Sequence, residues 1–385
     1  MLLIKNAQII TSTGKNYDKG DILIKDGKIE TLGENIECVE GVEVIYADGK
    51  IITPGIIDAH CHLGMWEDAI GFEGADGNES TDPVTPHLRA IDAINPMDRN
   101  FEEAREGGIT CVSTGPGSTN VIAGQYAVIK TSGICVDEMI VKAPVAIKCA
   151  FGENPKKIFG DKKQSPSTRM AIAAILRETL IKAREYKNKL DLAKKDPSKK
   201  PAFDFKMESL QPVINGEIPL KAHVHRADDI LTAIRISKEF GVKMSLDHCT
   251  DGYLIVDHIK NSGCDVIVGP SFGDRPKFEL KNKSFVTPGV LSNAGIKIAI
   301  VTDHPVVPLQ HLPMCAALSV KAGMKEEEAL NAITIYPAEI LGINDRVGSI
   351  EIGKDADIVV WNGHPFEMQA TVEYTLINGE IVYKK

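Results

Sequence analysis

Between residues 55 and 304 the chain alternates short β-rich runs with helical segments, and that alternation leaves few folds open. Eight strand candidates can be counted, at 55–62, 108–115, 135–142, 144–152, 219–225, 242–249, 264–271 and 296–304. Helical signals fall between many of them. Ser167 starts one (STRMAIAAILRETLIKAREYKNKL), and Ala227-Asp228-Asp229 opens another that stops at Gly241. Eight parallel strands with crossovers are the count for a closed barrel. There is no internal repeat.

The two ends of the chain differ from this middle. The first fifty and last forty residues read as short strands, with Asp-Gly pairs at 26–27 and 48–49 and Asn-Gly pairs at 362–363 and 378–379 marking tight turns. The economical reading is an α/β chain: a (β/α)8 TIM barrel over 54–346, and a small β-sandwich domain built from 1–53 together with 347–385.

Five of the ten histidines fall at the C-terminal ends of the strand candidates: His60, His62, His223, His225 and His248. Asp303 ends the eighth. Barrel enzymes place their active sites at that face. Residues i and i+2 of a strand point the same way, so His60 and His62 share a face, as do His223 and His225. Two imidazoles about 6–7 Å apart at their Cα atoms can converge on one ion. One His-x-His is easily coincidence. Two such pairs with a further strand-end His and Asp would be poorly satisfied in an apolar barrel without an ion or a hydrogen-bond network. Cys61 faces the opposite side and reads as packing; His87, His258, His311 and His364 have no strand-end placement and read as structural.

Gly-Ile-Ile-Asp-Ala-His-Cys-His (55–62), preceded by Thr53-Pro54, resembles the first metal motif of the amidohydrolase superfamily. Leu246-Asp247-His248 and Thr302-Asp303-His304 resemble its sixth- and eighth-strand motifs, and residues 348–360 resemble its return to the small β-domain. His223-Val-His225 after Lys221 is similar to the fifth-strand motif of the branch containing imidazolonepropionase-like hydrolases and metal-dependent Xaa-Pro and Xaa-Arg dipeptidases. The resemblance covers nearly the whole chain.

It implies one or two divalent ions, with Zn²⁺ suited to such donors. His60 and His62 would hold one ion. His248 with either His223 or His225 would hold a second, and Asp303 would serve as ligand and proton shuttle. The fifth-strand histidine that is not a ligand would face substrate; His225 in that role could stabilise a developing oxyanion. A binuclear site needs an anionic bridge from strand four. Lys148, once carboxylated, matches the family's lysine; Glu153 needs no modification and sits nearer the strand end. The reading leans to Glu153.

The implied reaction is hydrolysis of an amide C–N bond in a small cyclic amide or dipeptide-like substrate. Deamination of a nucleobase-like ring is the rival on the same scaffold. Deaminases of the superfamily typically carry Glu three residues after the fifth-strand histidine, where this chain has Asp228 or Arg226. A non-catalytic scaffold is the third reading, opposed by the retention of His60, His62, His248 and Asp303.

Residues 64–100 form a long segment whose first part, 67–82, carries six acids (Glu67, Asp68, Glu73, Asp76, Glu79, Asp82). These could favour a cationic substrate, but a solvated or subunit-contacting loop is the plainer reading. Gly115–Asn120 reads as a turn that could put backbone amides near substrate. Lys156, Lys157 and Arg169 are candidate carboxylate anchors or ordinary surface residues. A net charge of −9 and the lack of a basic face argue against nucleic acid as a partner, and the Lys-rich stretch 182–200 reads as solvated. No apolar run approaches the roughly 18 residues of a membrane span, and the N-terminus lacks the pattern of a signal peptide. Eight scattered cysteines read as reduced, mostly buried thiols. The expectation is a cytoplasmic homo-oligomer acting on a small molecule, without nucleic-acid or membrane partners.

Overall fold

The computed structural model describes residues 1–38 and 40–385. Strands from both ends of the chain join one mixed sheet of eight: β1 (Leu2–Ile9), β2 (Tyr17–Lys25), β3 (Lys28–Gly33), β4 (Glu43–Tyr46), β5 (Ile51–Pro54), and later β14 (Ile358–Trp361), β15 (Val372–Ile377) and β16 (Glu380–Lys384). The join is the antiparallel pairing of β5 with β14, Thr53 opposite Val359. Two of the turn signals act as expected. Asp26-Gly27 and Asn378-Gly379 each take two consecutive positive φ values (49° and 78°; 49° and 76°), which close the β2–β3 and β15–β16 hairpins. Ile4, Ile9, Ile22, Ile52, Ile358 and Leu376 pack as the core of this sheet.

The middle of the chain builds a second sheet of eight strands, in sequential order: β6 (Ile56–Cys61), β7 (Ile109–Thr114), β8 (Ile122–Lys130), β9 (Ile140–Ala150), β10 (Leu220–Val224), β11 (Met244–His248), β12 (Asp265–Val268) and β13 (Ile298–Ile300). All six residues of β6 are buried, as expected of a strand covered on both faces. The ends approach one another: His62 N donates to His304 O at 2.9 Å, and the Asp58 carboxylate accepts from Thr302 N and Oγ1 at 3.0 and 2.6 Å. The sheet is thus a nearly closed barrel.

Two details correct the strand count made from sequence. The candidates at 135–142 and 144–152 are not separate strands: 136–139 is one helical turn, and the rest merges into β9, with Pro144 inside it. The missing strand is β8, and it runs antiparallel to both neighbours. The barrel therefore holds seven strands in one sense and one in the other.

The helix expected from Ser167 spans Arg169–Ala193. It is capped by Thr168 Oγ1, which accepts from Ala171 N at 3.1 Å, and buries the stripe Ile172, Leu176, Leu180 and Ala183. The next expected helix spans Ala227–Phe240 and ends at left-handed Gly241. Lys130, at the end of β8, reaches across to the terminal sheet, with Nζ at 2.6 Å from Asp357 and 3.2 Å from Asp355. Trp361 Nε1 donates to Thr53 Oγ1 at 2.9 Å. Among the described residues all eight cysteines are free, five of them buried, and no helix is long and apolar enough to cross a membrane.

Candidate metal centre

The strand-end histidines meet at one end of the barrel. Two groups form there: His60, His62 and Asp303; and His223, His225 and His248. Within each group the potential ligand atoms lie within 4.8 Å of one another. Asp303 Oδ1 sits 3.3 Å from His60 Nε2 and 3.2 Å from His62 Nε2. His248 and Asp303 occupy the left-handed backbone region (φ 70° and 54°), which carries some strain for a residue with a Cβ, although His and Asp are among those that adopt it most readily.

Four of the five rings are oriented through Nδ1. His60 Nδ1 meets Asp247 Oδ2 at 2.6 Å, His62 Nδ1 meets Gly115 O at 2.7 Å, His225 Nδ1 meets Thr250 Oγ1 at 2.7 Å, and His248 Nδ1 meets Gly269 O at 2.8 Å. Such contacts fix the ring and commit Nε2 to the centre, the usual arrangement around a metal-ligating imidazole. His248 Nε2 has no hydrogen-bond partner although it is buried. Burial also pushes His60, His223, His225 (to about 3) and His248 below the usual imidazole value. At neutral pH they carry the uncharged form that binds metal. The donor set and the orphaned Nε2 both fit a divalent ion of the kind held by nitrogen and oxygen ligands.

The strand-four residues are placed differently from the lean made from sequence. Lys148 is fully buried, with Nζ 3.1 Å from His60 Nε2, and burial lowers its amine to about 8. Glu153 belongs to neither group. The strand ends at Ala150, Gly152 turns the chain (φ 81°), and Glu153 opens the helix Glu153–Asp161 with its carboxylate 3.5 Å from Glu279 N. Strand parity and the turn at Gly152 carry Lys148 into the centre and Glu153 aside.

Both fifth-strand histidines stand in the same group, so the choice between His223 and His225 is not a choice of which one is present. Asp247 and Glu279 complete the surroundings and were given no role from sequence. Asp247 accepts from His60 and lies 3.1 Å from Lys221 Nζ; burial opposes its ionisation, but Lys221 and His60 outweigh it and hold the carboxyl far below its usual range. Asp247 was legible in principle as the neighbour of His248. Glu279 lies in an irregular segment with no periodic signal.

A cavity of about 350 Å³ opens over the centre, lined by His62, His223, His225 and Asp303 among others. Trp66, Asn78, Gly117, Ser118 and Lys277 form parts of its wall. None of the six acids between Glu67 and Asp82 lines it, and neither do Lys156, Lys157 or Arg169; Arg169 pairs with Asp229 at 3.0 Å instead.

The amidohydrolase family model matches residues 212–382. The crystal structure of an amidohydrolase from Thermotoga maritima MSB8 is 45% identical, superposes with a TM-score of 0.97 and aligns over the whole of both chains. Amidohydrolase tasK of Hapsidospora irregularis is 28% identical over 94% of this chain, which spans 39% of that longer protein. A dihydroorotase of Acetivibrio thermocellus is 22% identical, with 100% of this chain and 99% of the relative aligned.

Proposed function

Because the chain belongs to the amidohydrolase superfamily and is an enzyme acting on C–N bonds, we propose that it hydrolyses an amide bond in a small cyclic amide or dipeptide-like substrate. The observation that carries the reading is the convergence of two histidine groups and Asp303 beneath a single cavity. His60 and His62 would hold one divalent ion, and His248 with His223 and His225 a second, with Zn²⁺ the best match to the donors. Such an ion polarises a scissile carbonyl and makes water more acidic.

Asp303 borders the cavity and touches both His60 and His62, so it can take the proton of the attacking water and return it to the leaving amine. His225 Nδ1 is engaged by Thr250, so its Nε2 is the one nitrogen left to act; we assign it to the second ion and no longer to a developing oxyanion. Lys148 replaces Glu153 as our assignment for the anionic bridge. Its amine would add to the carbon of carbon dioxide, forming an N–C bond and releasing one proton, and the resulting carbamate offers two oxygens where two cations would otherwise repel.

Amide hydrolysis is preferred to deamination on one observation. Asp228, the acid at the place that deaminases fill with Glu, turns outward and pairs with Arg226 at 2.7 Å. We also read 1–53 with 347–385 as one composite β-sandwich domain beside a 54–346 barrel domain, supported by the pairing of β5 with β14. A cytoplasmic homo-oligomer remains our reading; Phe72, 95% exposed on the long segment at the barrel mouth, supports the oligomer alone.

Metal analysis of the purified protein tests the proposal, followed by turnover of a panel of dipeptides, N-acyl amino acids and cyclic amides. One to two equivalents of divalent ion are expected, falling in His60→Ala, with activity lost on chelation. Full activity in a rigorously metal-free preparation would sink it.

A further inference from the structure

Glu279 is 2% exposed and lies in the turn Phe278–Leu280, between β12 and the helix Val286–Asn293. Its two carboxylate oxygens have different surroundings. Oε2 accepts from Glu153 N at 3.0 Å. Oε1 is buried without any hydrogen-bond partner, 3.6 Å from His223 Nε2 and 3.8 Å from His225 Nε2. Those separations exceed a hydrogen bond.

No Lys or Arg forms an ion pair with Glu279 among the described residues; the basic groups near it are these two uncharged imidazoles. A buried carboxylate with neither a cation nor a full set of donors is expensive. The chain nevertheless makes room for it. A Cβ at Gly152 would lie 2.8 Å from Glu279 Oε2, so the glycine permits the carboxylate's approach, and its φ of 81° disfavours any replacement. His225 Nδ1 is already engaged by Thr250, which leaves Nε2 as the ring atom that meets Oε1. Asn154 Nδ2 lies 3.3 Å from His223 Nε2 and gives that ring a neutral partner, but no Lys or Arg stands within ion-pair range of Oε1, which faces both Nε2 atoms unpartnered.

We propose that Glu279 is a carboxylate ligand of the divalent cation at the His223–His225–His248 group, making that half of the centre a mixed imidazole–carboxylate site. The assignment rests on the metal-dependent reading above. It also gives the turn after β12 a purpose that β-strand periodicity would never reveal: the turn carries a charged donor in from the side of the barrel mouth.

The test compares wild type with Glu279→Gln, which preserves shape and removes the charge, and with Glu279→Asp. Each metal-free protein is titrated with Zn²⁺ against a chelating dye, and its melting temperature is measured with and without the ion. Glu279→Gln should bind the weaker Zn²⁺ equivalent about 10–100-fold less tightly. Without metal it should melt no lower than wild type, because an uncompensated buried charge has gone, while its Zn²⁺-induced rise in melting temperature shrinks. Glu279→Asp should fall between the two in affinity. A merely structural role predicts the reverse: a lower metal-free melting temperature and unchanged affinity. That result, or wild-type Zn²⁺ binding by folded Glu279→Gln, overturns the assignment while leaving the hydrolase reading intact. A wild-type protein that binds no divalent ion overturns both.

Discussion

The carboxylate of Asp247 accepts from His60 Nδ1 at 2.6 Å, so the residue beside one candidate ligand, His248, sets the orientation of another on a different strand. Asp247 is itself held by Lys221 at 3.1 Å and by Ser245 Oγ at 2.8 Å. Asp247→Asn should therefore weaken metal binding about 10–100-fold without removing a ligand. It should also cost roughly 3 kcal/mol of stability, because Lys221 is left buried beside a neutral amide. Unchanged affinity in a metal-competition titration would show that His60 needs no such support.

Lys148 and Glu153 separate cleanly. Lys148→Ala should lose metal and activity, and short carboxylic acids should restore part of both by occupying the vacated volume as an anion. Glu153→Gln should change either by less than about threefold, since its carboxylate lies outside both groups. Mass spectrometry under carbon dioxide should find 44 Da on the Lys148 peptide. Wild-type metal content in Lys148→Ala, with loss in Glu153→Gln, would return the bridge to Glu153.

Acid stability should depend on Asp355. Burial opposes its ionisation, but Lys28, Lys130 and Arg346 outweigh it and hold the carboxyl below its usual value. A depressed carboxylate stabilises the fold fully above its unfolded pKa of about 3.9 and loses that contribution as pH falls through the folded value. Lys130 is shifted the other way: burial opposes its charge, and Asp357 and Asp355 prevail in raising it, so its contribution is complete below about pH 10.4. The difference in unfolding free energy between wild type and Asp355→Asn should be about 3 kcal/mol at pH 7 and shrink below pH 4. A difference that stays constant down to pH 2 would rule out this linkage.

Deleting residues 347–385 should make the protein insoluble. It removes β14 from β5 and uncovers Ile4, Ile9, Ile22 and Ile52. A soluble truncation that retains metal and activity would show that the chain ends fold independently of each other.

The histidine pairs were legible because a two-residue period and strand-end placement are local properties, and the terminal hairpins because Asp-Gly and Asn-Gly demand positive φ at both turn residues. The reversed strand β8 was not. Ile122–Lys130 is β-rich in sequence, but direction is set by pairing partners far along the chain, and nothing in nine residues records it. The candidates at 135–142 and 144–152 part at Ala143, yet both Ala143 and Pro144 lie within β9. Glu153 is close to the strand end in sequence, but the turn at Gly152 leaves its carboxylate beside Glu279 N, outside both groups. Glu279 reaches the centre from an irregular segment, and only tertiary structure could bring it there.

The reversed strand also bears on how such a barrel could be re-tailored. Because β8 returns directly from the catalytic mouth, the rim between β7 and β8 is a short hairpin link, residues 115–121, while the connection from β8 to β9 lies at the opposite end. His62 leans on Gly115 in that link, and Gly117 and Ser118 form part of the cavity wall. A designer seeking new selectivity would leave this side alone as fixed masonry. The adjustable walls are the longer segments after β6, β9 and β12, where insertions can reshape the cavity without disturbing the pairing that holds the first histidines in place.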